Sequence, residues 1–136
     1  MSLIIFADFM HGVGVAHGKE GFHVVVVQRD ETFYAFVENE PLIESLSGIF
    51  KVMADPTRLK ILYALMLGTC NVSKLVELLG MSQSSISHQL ILLKEEGLIR
   101  SRKEGRKVYY SLDDDHVETL FSMGYTHAMH KIGEDD

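Results

Sequence analysis

Four side chains near the C-terminal end of the chain could bind a metal ion together. They are Asp114, His116, His127 and His130. Residues 113–132, which contain them, are predicted to be one helix, because apolar residues recur there at helical spacing. These apolar residues are Val117, Leu120, Phe121, Gly124 and Ala128.

The spacing of the histidines decides how such a site could form. His127 and His130 are three residues apart, so both imidazoles can reach one ion from one face of a helix. His116 lies on nearly the same face, but it is eleven residues before His127, which corresponds to about 16 Å along the axis. Two such helices that pack antiparallel about a two-fold axis would bring the start of one to the end of the other.

The resulting dimer would hold two identical sites. Each would combine Asp114 and His116 of one chain with His127 and His130 of its partner. One oxygen and three nitrogens complete a tetrahedral shell, which suits zinc best among the common ions. The alternative is that the apolar stripe is only a core or dimer seam, with solvated histidines beside it.

Composition limits the class of protein. The chain has 136 residues, of which 46% are hydrophobic, enough for one domain with a modest core. Its one cysteine, Cys70, excludes an intramolecular disulfide and favours a reducing, cytoplasmic setting. No apolar run reaches the roughly 18 residues of a membrane span, and the apolar start of the chain lacks the basic segment of a signal peptide. We therefore expect a cytoplasmic protein with no membrane partner.

The net charge of −6 at first disfavours a nucleic-acid partner, but the charge is unevenly distributed. Residues 94–107 contain six basic and three acidic side chains, whereas the acidic excess lies in residues 30–44, 113–115 and 134–136. The sequence therefore predicts a local basic face on an acidic protein.

Residues 1–40 are predicted to be an N-terminal extension, either a β-hairpin or a flexible arm. Residues 22–27 and 32–37 are rich in β-branched and aromatic side chains, so each is predicted to be a short strand. Three further histidines lie in this extension: His11, His17 and His23. They are interpreted as polar residues of a mobile segment, with a minor alternative in which one of them adds a metal ligand.

Residues 41–136 are predicted to be a mainly α-helical domain. Within it, Asp55 can cap a helix that has Pro56 at its first position. Two more helices follow, Val72–Leu79 and one capped by Ser82, with a glycine-containing turn between them. This arrangement is typical of a helix-turn-helix.

The second helix of that motif has a polar N-terminal half. Its buried side is predicted to be Ile86, Leu90, Leu92 and Leu93. The polar side chains are candidates for contact with base edges and phosphates in the DNA major groove. They are Gln83, Ser84, Ser85, Ser87, His88 and Gln89. A surface helix that is rich in serine by chance would not explain why the polar half is the N-terminal one, where the helix dipole favours phosphate.

After Gly97 the hydrophobic period becomes two, which predicts a β-hairpin with Glu104 and Gly105 at its turn. Four basic residues near its tip are candidates for contact with the DNA backbone: Arg102, Lys103, Arg106 and Lys107. A solvated charged turn is the alternative, but the position directly after the polar helix favours a wing. The predicted fold is a winged helix-turn-helix, mainly α with a small β-hairpin wing, that dimerises through its terminal helices.

Three stretches together resemble the ArsR/SmtB family of winged-helix metal-sensing repressors. They are FKVMADPTRLKIL, MSQSSISHQLILLKEEGLIRSRKEGRKVYYSL, and DDDHVETL followed by THAMH. The resemblance covers residues 42–131 and leaves the first forty outside. It implies a homodimer that binds double-stranded operator DNA when it is metal-free and releases that DNA when it is metal-bound.

The resemblance also bears on the choice of metal. The thiol-rich site of the family needs Cys-Val-Cys where this chain has Asn71, Val72 and Ser73, so that site is absent. The site on the C-terminal helix, Asp-x-His followed by His-x-x-His, is present in full, which resembles the zinc-sensing branch typified by CzrA. Related nickel and cobalt sensors use extra histidines, so Co²⁺ and Ni²⁺ remain alternatives to Zn²⁺, with His11 or His17 as the added ligand.

We therefore expect a metal-responsive repressor and not an enzyme. One rival is a winged-helix regulator that responds to a redox change or a small molecule. A metal-storage protein is another, but it would not need the polar helix. A metal hydrolase would need an open coordination position and a nearby base, whereas four protein ligands would close the shell.

Overall fold

The computed structural model describes residues 30–133. The chain divides into two compact units, Met1–Leu46 and Ser47–Asp136. The strand predicted at residues 22–27 and the histidines His11, His17 and His23 lie outside the described residues. The domain boundary after residue 40 stays a prediction.

In the first unit, residues 30–37 form a helix, α1. A second helix, α2, Glu40–Met53, begins in the first unit and ends in the second. The strand predicted at residues 32–37 is therefore wrong. The reason is the spacing of the large apolar residues, which follows i, i+1, i+3, i+4 and fits one face of a helix better than the alternation of a strand. These residues are Phe33, Tyr34, Phe36 and Val37.

Four helices of the second unit begin and end close to the predicted positions. They are α3, Pro56–Leu67; α4, Val72–Leu79; α5, Gln83–Glu95; and α6, Asp115–Ile132. Each helix is preceded by a short polar side chain that accepts a hydrogen bond from a backbone N–H of the first turn. This bond pairs one of the N–H groups that have no partner within the helix. The four capping residues are Asp55, Asn71, Ser82 and Asp114.

The turn between α4 and α5 depends on Gly80. This residue has φ of 66°, a left-handed conformation that favours glycine, and its N–H donates to the carbonyl of Val76. It ends α4 only three residues before α5 begins. The predicted helix-turn-helix is confirmed.

A three-stranded antiparallel sheet completes the second unit. Its strands are β1, Cys70–Asn71; β2, Ile99–Glu104; and β3, Lys107–Leu112, in the order β1-β3-β2. Strands β2 and β3 form the predicted wing, with Gly105 at φ of 61° in the turn between them. Strand β1 was not predicted, because two residues are too short to show a period.

The core of the second unit lies between the helix-turn-helix and the sheet. Its fully buried side chains are Ile61, Leu62, Leu75, Ile86, Leu90, Leu93 and Ile99. Burial of one such side chain stabilises the fold by about 1.5–3 kcal/mol. Three of the four residues predicted for the inner side of α5 are in this set, and the fourth, Leu92, is half-buried. The polar side of α5 therefore faces away from the core.

Helix α6 is less embedded than α5. Its one buried residue is Val117, and Phe121 is half-buried beside the core. The ring of Tyr63 on α3 stacks on Phe121 and on Tyr125, with centroid distances of 6.0 and 6.1 Å. No helix among residues 30–133 is long and apolar enough to cross a membrane.

Candidate functional site

A cluster of serine hydroxyl groups holds the start of α5. The Oγ atom of Ser82 accepts a bond of 3.2 Å from the backbone N–H of Ser85 and donates one of 2.9 Å to the Oγ of Ser85. The Oγ of Ser84 lies 3.2 Å from that of Ser82. These bonds order the first turn, where the remaining backbone N–H groups and the positive end of the helix dipole favour a phosphate.

The outer face of α5 exposes three of the six side chains predicted to contact DNA: Gln83, Ser84 and His88. The other three are half-buried: Ser85, Ser87 and Gln89. Ser84 and His88 are four residues apart and so lie on the same face of the helix, on the side opposite the core. The exposed part of the predicted surface is therefore narrower than the sequence suggested.

Gln89 has a partner inside the protein. Its Oε1 accepts a hydrogen bond of 2.9 Å from Nη1 of Arg58, and the Nε of Arg58 donates to the backbone carbonyl of Val52. The backbone N–H of Arg58 is in turn bound by the capping carboxylate of Asp55. Arg58 therefore joins the end of α2 and the start of α3 to the middle of α5, and it engages the amide oxygen of Gln89.

A second contact joins α2 to α5. A methyl group on the Cα of Gly48 would lie 2.5 Å from Oε1 of Glu96, the residue that follows α5, so the carboxylate lies directly against α2. Gly48 and Val52 both belong to the part of α2 that lies in the second unit. Together the two contacts hold residues 47–53 against α5. Sequence reasoning missed both, because the partners are far apart in the chain and no local pattern connects them.

The tip of the wing is basic and exposed. All four predicted phosphate contacts, Arg102, Lys103, Arg106 and Lys107, are open to solvent. The guanidinium of Arg102 is 2.8 Å from the carboxylate of Glu104, an exposed pair that contributes little to stability. Lys94 near the end of α5 donates a bond of 2.7 Å to Ser101 on β2, so the wing is tied to the helix that precedes it.

Arg100 was not among the predicted contacts. It is exposed on β2, and its Nε lies 3.4 Å from the Oγ of Ser111 on the neighbouring strand. A depression of about 270 Å³ on the sheet is lined by Thr69, Arg100, Ser101, Arg102, Tyr109 and Ser111. The alternation of β2 could have identified Arg100, since it points to the same side of the strand as Arg102.

At the start of α6, Asp114 has two roles. Its Oδ1 accepts the backbone N–H of Val117 at 3.1 Å, and its Oδ2 lies 3.4 Å from Nδ1 of His116. The hydrogen bond from Val117, with the nearby His116, holds the pKa of the Asp114 carboxyl below its usual value. The side chain of His116 is 97% exposed. A carboxylate oxygen and an imidazole are therefore side by side on the surface, as two ligands of one ion must be.

The other two predicted ligands, His127 and His130, are exposed on the last turns of the same helix. Among residues 30–133 of a single chain, no three His, Cys, Asp or Glu side chains are grouped closely enough to hold a metal ion. A four-ligand shell from these residues therefore needs a second copy of the chain. The donor set of one carboxylate and three imidazoles fits zinc, cobalt or nickel.

Large apolar side chains are exposed along α6. Met123, Tyr125 and Ile132 have 67%, 50% and 65% of their surface open, and Tyr63 beside them on α3 has 41%. Tyr125 and Ile132 are seven residues apart and lie on the side of the helix that faces Tyr63, whereas Met123 lies on the opposite side with His116 and His127. An exposed apolar side chain among polar ones, as at Met123, is compatible with a protein–protein interface. Met123 lies between the two ends of α6 that carry the predicted ligands.

Cys70 is buried in the core at β1, and its thiol lies 3.5 Å from the carbonyl of Gly68. Burial raises the pKa of this thiol, and Lys74 opposes the shift. A thiol with a raised pKa holds little of the reactive thiolate. Cys70 is therefore a poor candidate for a redox sensor.

Comparison with known proteins identifies the family of this winged helix-turn-helix. Residues 55–101 match the model of a family described as bacterial regulatory protein, arsR family. A cadmium resistance transcriptional regulatory protein CadC homolog of Staphylococcus aureus is 43% identical over 86 residues, which cover 60% of this chain and 69% of that protein. The chain belongs to the ArsR family.

Two further similarities support this assignment. A transcriptional repressor SmtB homolog of Synechocystis is 38% identical to this ArsR-family chain over 78 residues, 57% of this chain and 59% of that protein. The homodimeric winged helix-turn-helix DNA-binding domain of Mb0332 from Mycobacterium bovis matches with a TM-score of 0.63 and 31% identity, over 65% of this chain and 82% of that one. The winged helix-turn-helix prediction is confirmed, and the relatives are transcriptional regulators, not enzymes.

Proposed function

We propose that this ArsR-family chain is a metal-responsive transcriptional repressor. Its metal-free homodimer binds operator DNA, and its metal-bound homodimer releases it. The regulatory ion is zinc, with cobalt and nickel as alternatives. The observation that carries the proposal is the layout of α6, with Asp114 and His116 exposed side by side at one end and His127 and His130 exposed at the other.

In this proposal the DNA surface consists of the outer face of α5 and the tip of the wing. Gln83, Ser84 and His88 are exposed donors and acceptors for base edges and phosphates in the major groove. The basic side chains of the wing follow the phosphate backbone and supply most of the salt-dependent affinity. Ser85, Ser87 and Gln89, which are half-buried, support α5 and add contacts at the edges of this DNA surface.

The dimer forms through α6. Met123, which is 67% exposed, lies midway between His116 and His130 and on the same side of α6 as His116 and His127. It packs against its counterpart in the partner when two α6 helices run antiparallel about a two-fold axis. That packing brings the start of one helix to the end of the other. Asp114 and His116 then complete a shell with His127 and His130 of the second copy.

The names of two relatives support a repressor with a metal signal. One relative is named for cadmium resistance, and the other is named a transcriptional repressor. A bound ion would cross-link the two α6 helices through its four protein ligands. The four ligands must favour one packing of the α6 helices over another, because a ligand shifts an equilibrium only by its difference in affinity for the two states.

The path from α6 to DNA follows contacts within one chain. Phe121 and Tyr125 pack on Tyr63 of α3, and Arg58 at the start of α3 is bonded to Gln89 of α5. A change in the packing of two α6 helices therefore changes the separation of the two α5 helices. Operator affinity falls because that separation must match a helical turn of DNA, about 34 Å.

Operator binding with and without zinc tests the proposal. Fluorescence anisotropy would use a labelled duplex from the promoter of this gene, the wild-type chain and the His127→Ala/His130→Ala double variant. We expect zinc to weaken wild-type binding by tenfold or more, roughly 1.4 kcal/mol of coupling, and to leave the double variant unaffected.

The matched control is His11→Ala/His17→Ala, which also removes two histidines but none of the four α6 ligands. It should keep the zinc effect, and loss of the effect would move the site toward the N-terminal extension. Tight metal-free binding of the wild type that zinc does not change would refute metal sensing and leave DNA binding intact.

A further inference from the structure

The outer face of α5 contains one large apolar side chain. Ile91 is 55% exposed, although the core of the same helix, at Ile86, Leu90 and Leu93, is at most 1% exposed. Its neighbours on the outer face, Ser84 and His88, are polar and exposed. Ile91 is therefore not part of the core, and it does not share the hydrogen-bonding chemistry of its neighbours.

Ile91 belongs to the same stripe as the DNA candidates. Ser84, Ser87, His88 and Ile91 follow the spacing i, i+3, i+4, i+7, which places them along one side of a helix. The base-reading residues on the recognition helix of a homeodomain have the same spacing. From Ser84 to Ile91 the stripe is about 10 Å long.

The stripe ends one turn later. Glu95 lies four residues after Ile91, is exposed and carries a negative charge that DNA phosphates repel. Lys94, three residues after Ile91, is bonded to Ser101 of the wing. Ile91 is therefore the last residue of this stripe before its charged end.

The major groove offers one apolar group to such a side chain. Each base pair presents hydrogen-bond donors and acceptors there, but thymine also presents its C5-methyl group. An isoleucine cannot bond to the polar groups and gains only by covering the methyl group. We propose that Ile91 contacts the C5-methyl group of one thymine in each operator half-site and so contributes to sequence specificity.

This inference rests on the proposed contact of α5 with DNA, and it can be tested apart from any metal. The probe is a duplex selected from random-sequence DNA by the metal-free full-length chain. Each thymine is then replaced, in both half-sites at once, by deoxyuridine, which pairs in the same way but lacks the methyl group. Affinities are measured by anisotropy for the wild type and for Ile91→Ala.

For the wild type, we expect replacement of one thymine position in both half-sites to weaken binding about fifteenfold. Loss of one buried methyl group lowers the affinity about fourfold, and the duplex loses two. Ile91→Ala should bind the thymine duplex more weakly and show less than about a twofold effect of the same replacement. Ile91→Val, which keeps a branched apolar side chain, should retain most of the methyl dependence.

The control is Leu78→Ala, which truncates a side chain of almost equal exposure, 54%, on α4. It should keep the methyl dependence of the wild type. The inference is overturned if no thymine of the selected duplex depends on its methyl group, or if the dependence is the same in Ile91→Ala. If the wild type selects no sequence at all, the proposed operator binding fails and this inference fails with it.

Discussion

Helices α5 and α6 carry the two candidate sites, and they are held in different ways. In α5, Ile86, Leu90 and Leu93 are buried, and Arg58 binds Gln89 from the side. In α6, one residue is buried, and the candidate ligands are exposed at the two ends. A single chain therefore orients the helix proposed to read DNA, whereas the proposed metal site needs two chains. The helix that is less firmly held is the one that could respond to a signal.

The largest expected effect separates the two helices by stability. Leu90→Ala should lower the free energy of unfolding by about 3 kcal/mol, because it leaves a cavity in the core. Met123→Ala on α6 should change the same quantity by less than about 0.5 kcal/mol, since that side chain is 67% exposed in one chain. Urea denaturation at protein concentrations low enough to dissociate a dimer measures both. Equal losses would contradict the difference between the helices.

A smaller effect is expected when the orientation of α5 is disturbed. Arg58→Met removes the donors to Gln89 and to the carbonyl of Val52, and it should cost about 1–2 kcal/mol of unfolding free energy. Metal-free operator binding should weaken about tenfold, as a reoriented helix loses part of its contacts. Arg58→Lys should rescue only part of both effects, since an ammonium group lacks the planar fork of a guanidinium.

The matched test for that contact is a double-mutant cycle with Gln89→Ala, read out by both unfolding and operator affinity. The two substitutions should be non-additive by about 1 kcal/mol in unfolding free energy. Additive effects, or unchanged operator affinity in Arg58→Met, would show that Arg58 does not position α5.

The smallest expected effect on stability separates the two roles of Asp114, as the cap of α6 and as a metal ligand. Asparagine caps a helix about as well as aspartate, so Asp114→Asn should change the unfolding free energy by only a few tenths of a kcal/mol. Asp114→Ala should cost about 1 kcal/mol, because the bond to the N–H of Val117 is lost. Both variants should bind zinc at least about tenfold more weakly. Loss of a residue that only supports a ligand already lowers metal affinity by roughly that factor, and loss of a direct ligand should lower it at least as much. Urea denaturation without metal and zinc titration against a competing chelator separate the two roles, and unchanged zinc affinity in Asp114→Asn would exclude that residue as a ligand.

Helix caps and turns, which depend on residues close together in the chain, were predicted well. Asp55 and Ser82 cap helices where the sequence indicated, and the wing turns at Gly105. The segment at residues 32–37 was misjudged because side-chain type was given more weight than spacing. Strand β1 was missed because two residues carry no period, and it forms only by pairing with β3.

Contacts between distant positions were not predictable in this way. The bond between Arg58 and Gln89 spans 31 residues, and the contact between Gly48 and Glu96 spans more. Nothing in the local sequence distinguishes these residues from solvated ones. The α6 ligands were found by spacing alone, and the completion of their site depends on a second chain, so it stays a prediction.

The contact of Arg58 with α2 uses a backbone carbonyl, that of Val52, as its acceptor. It is one of the last four carbonyls of that helix, which have no partner within the helix. Every amino acid offers the same carbonyl, so position 52 can vary without loss of the bond, whereas positions 58 and 89 must remain compatible with each other. Covariation among homologues would therefore reveal only half of this link, as a correlated pair at 58 and 89 with no signal at 52.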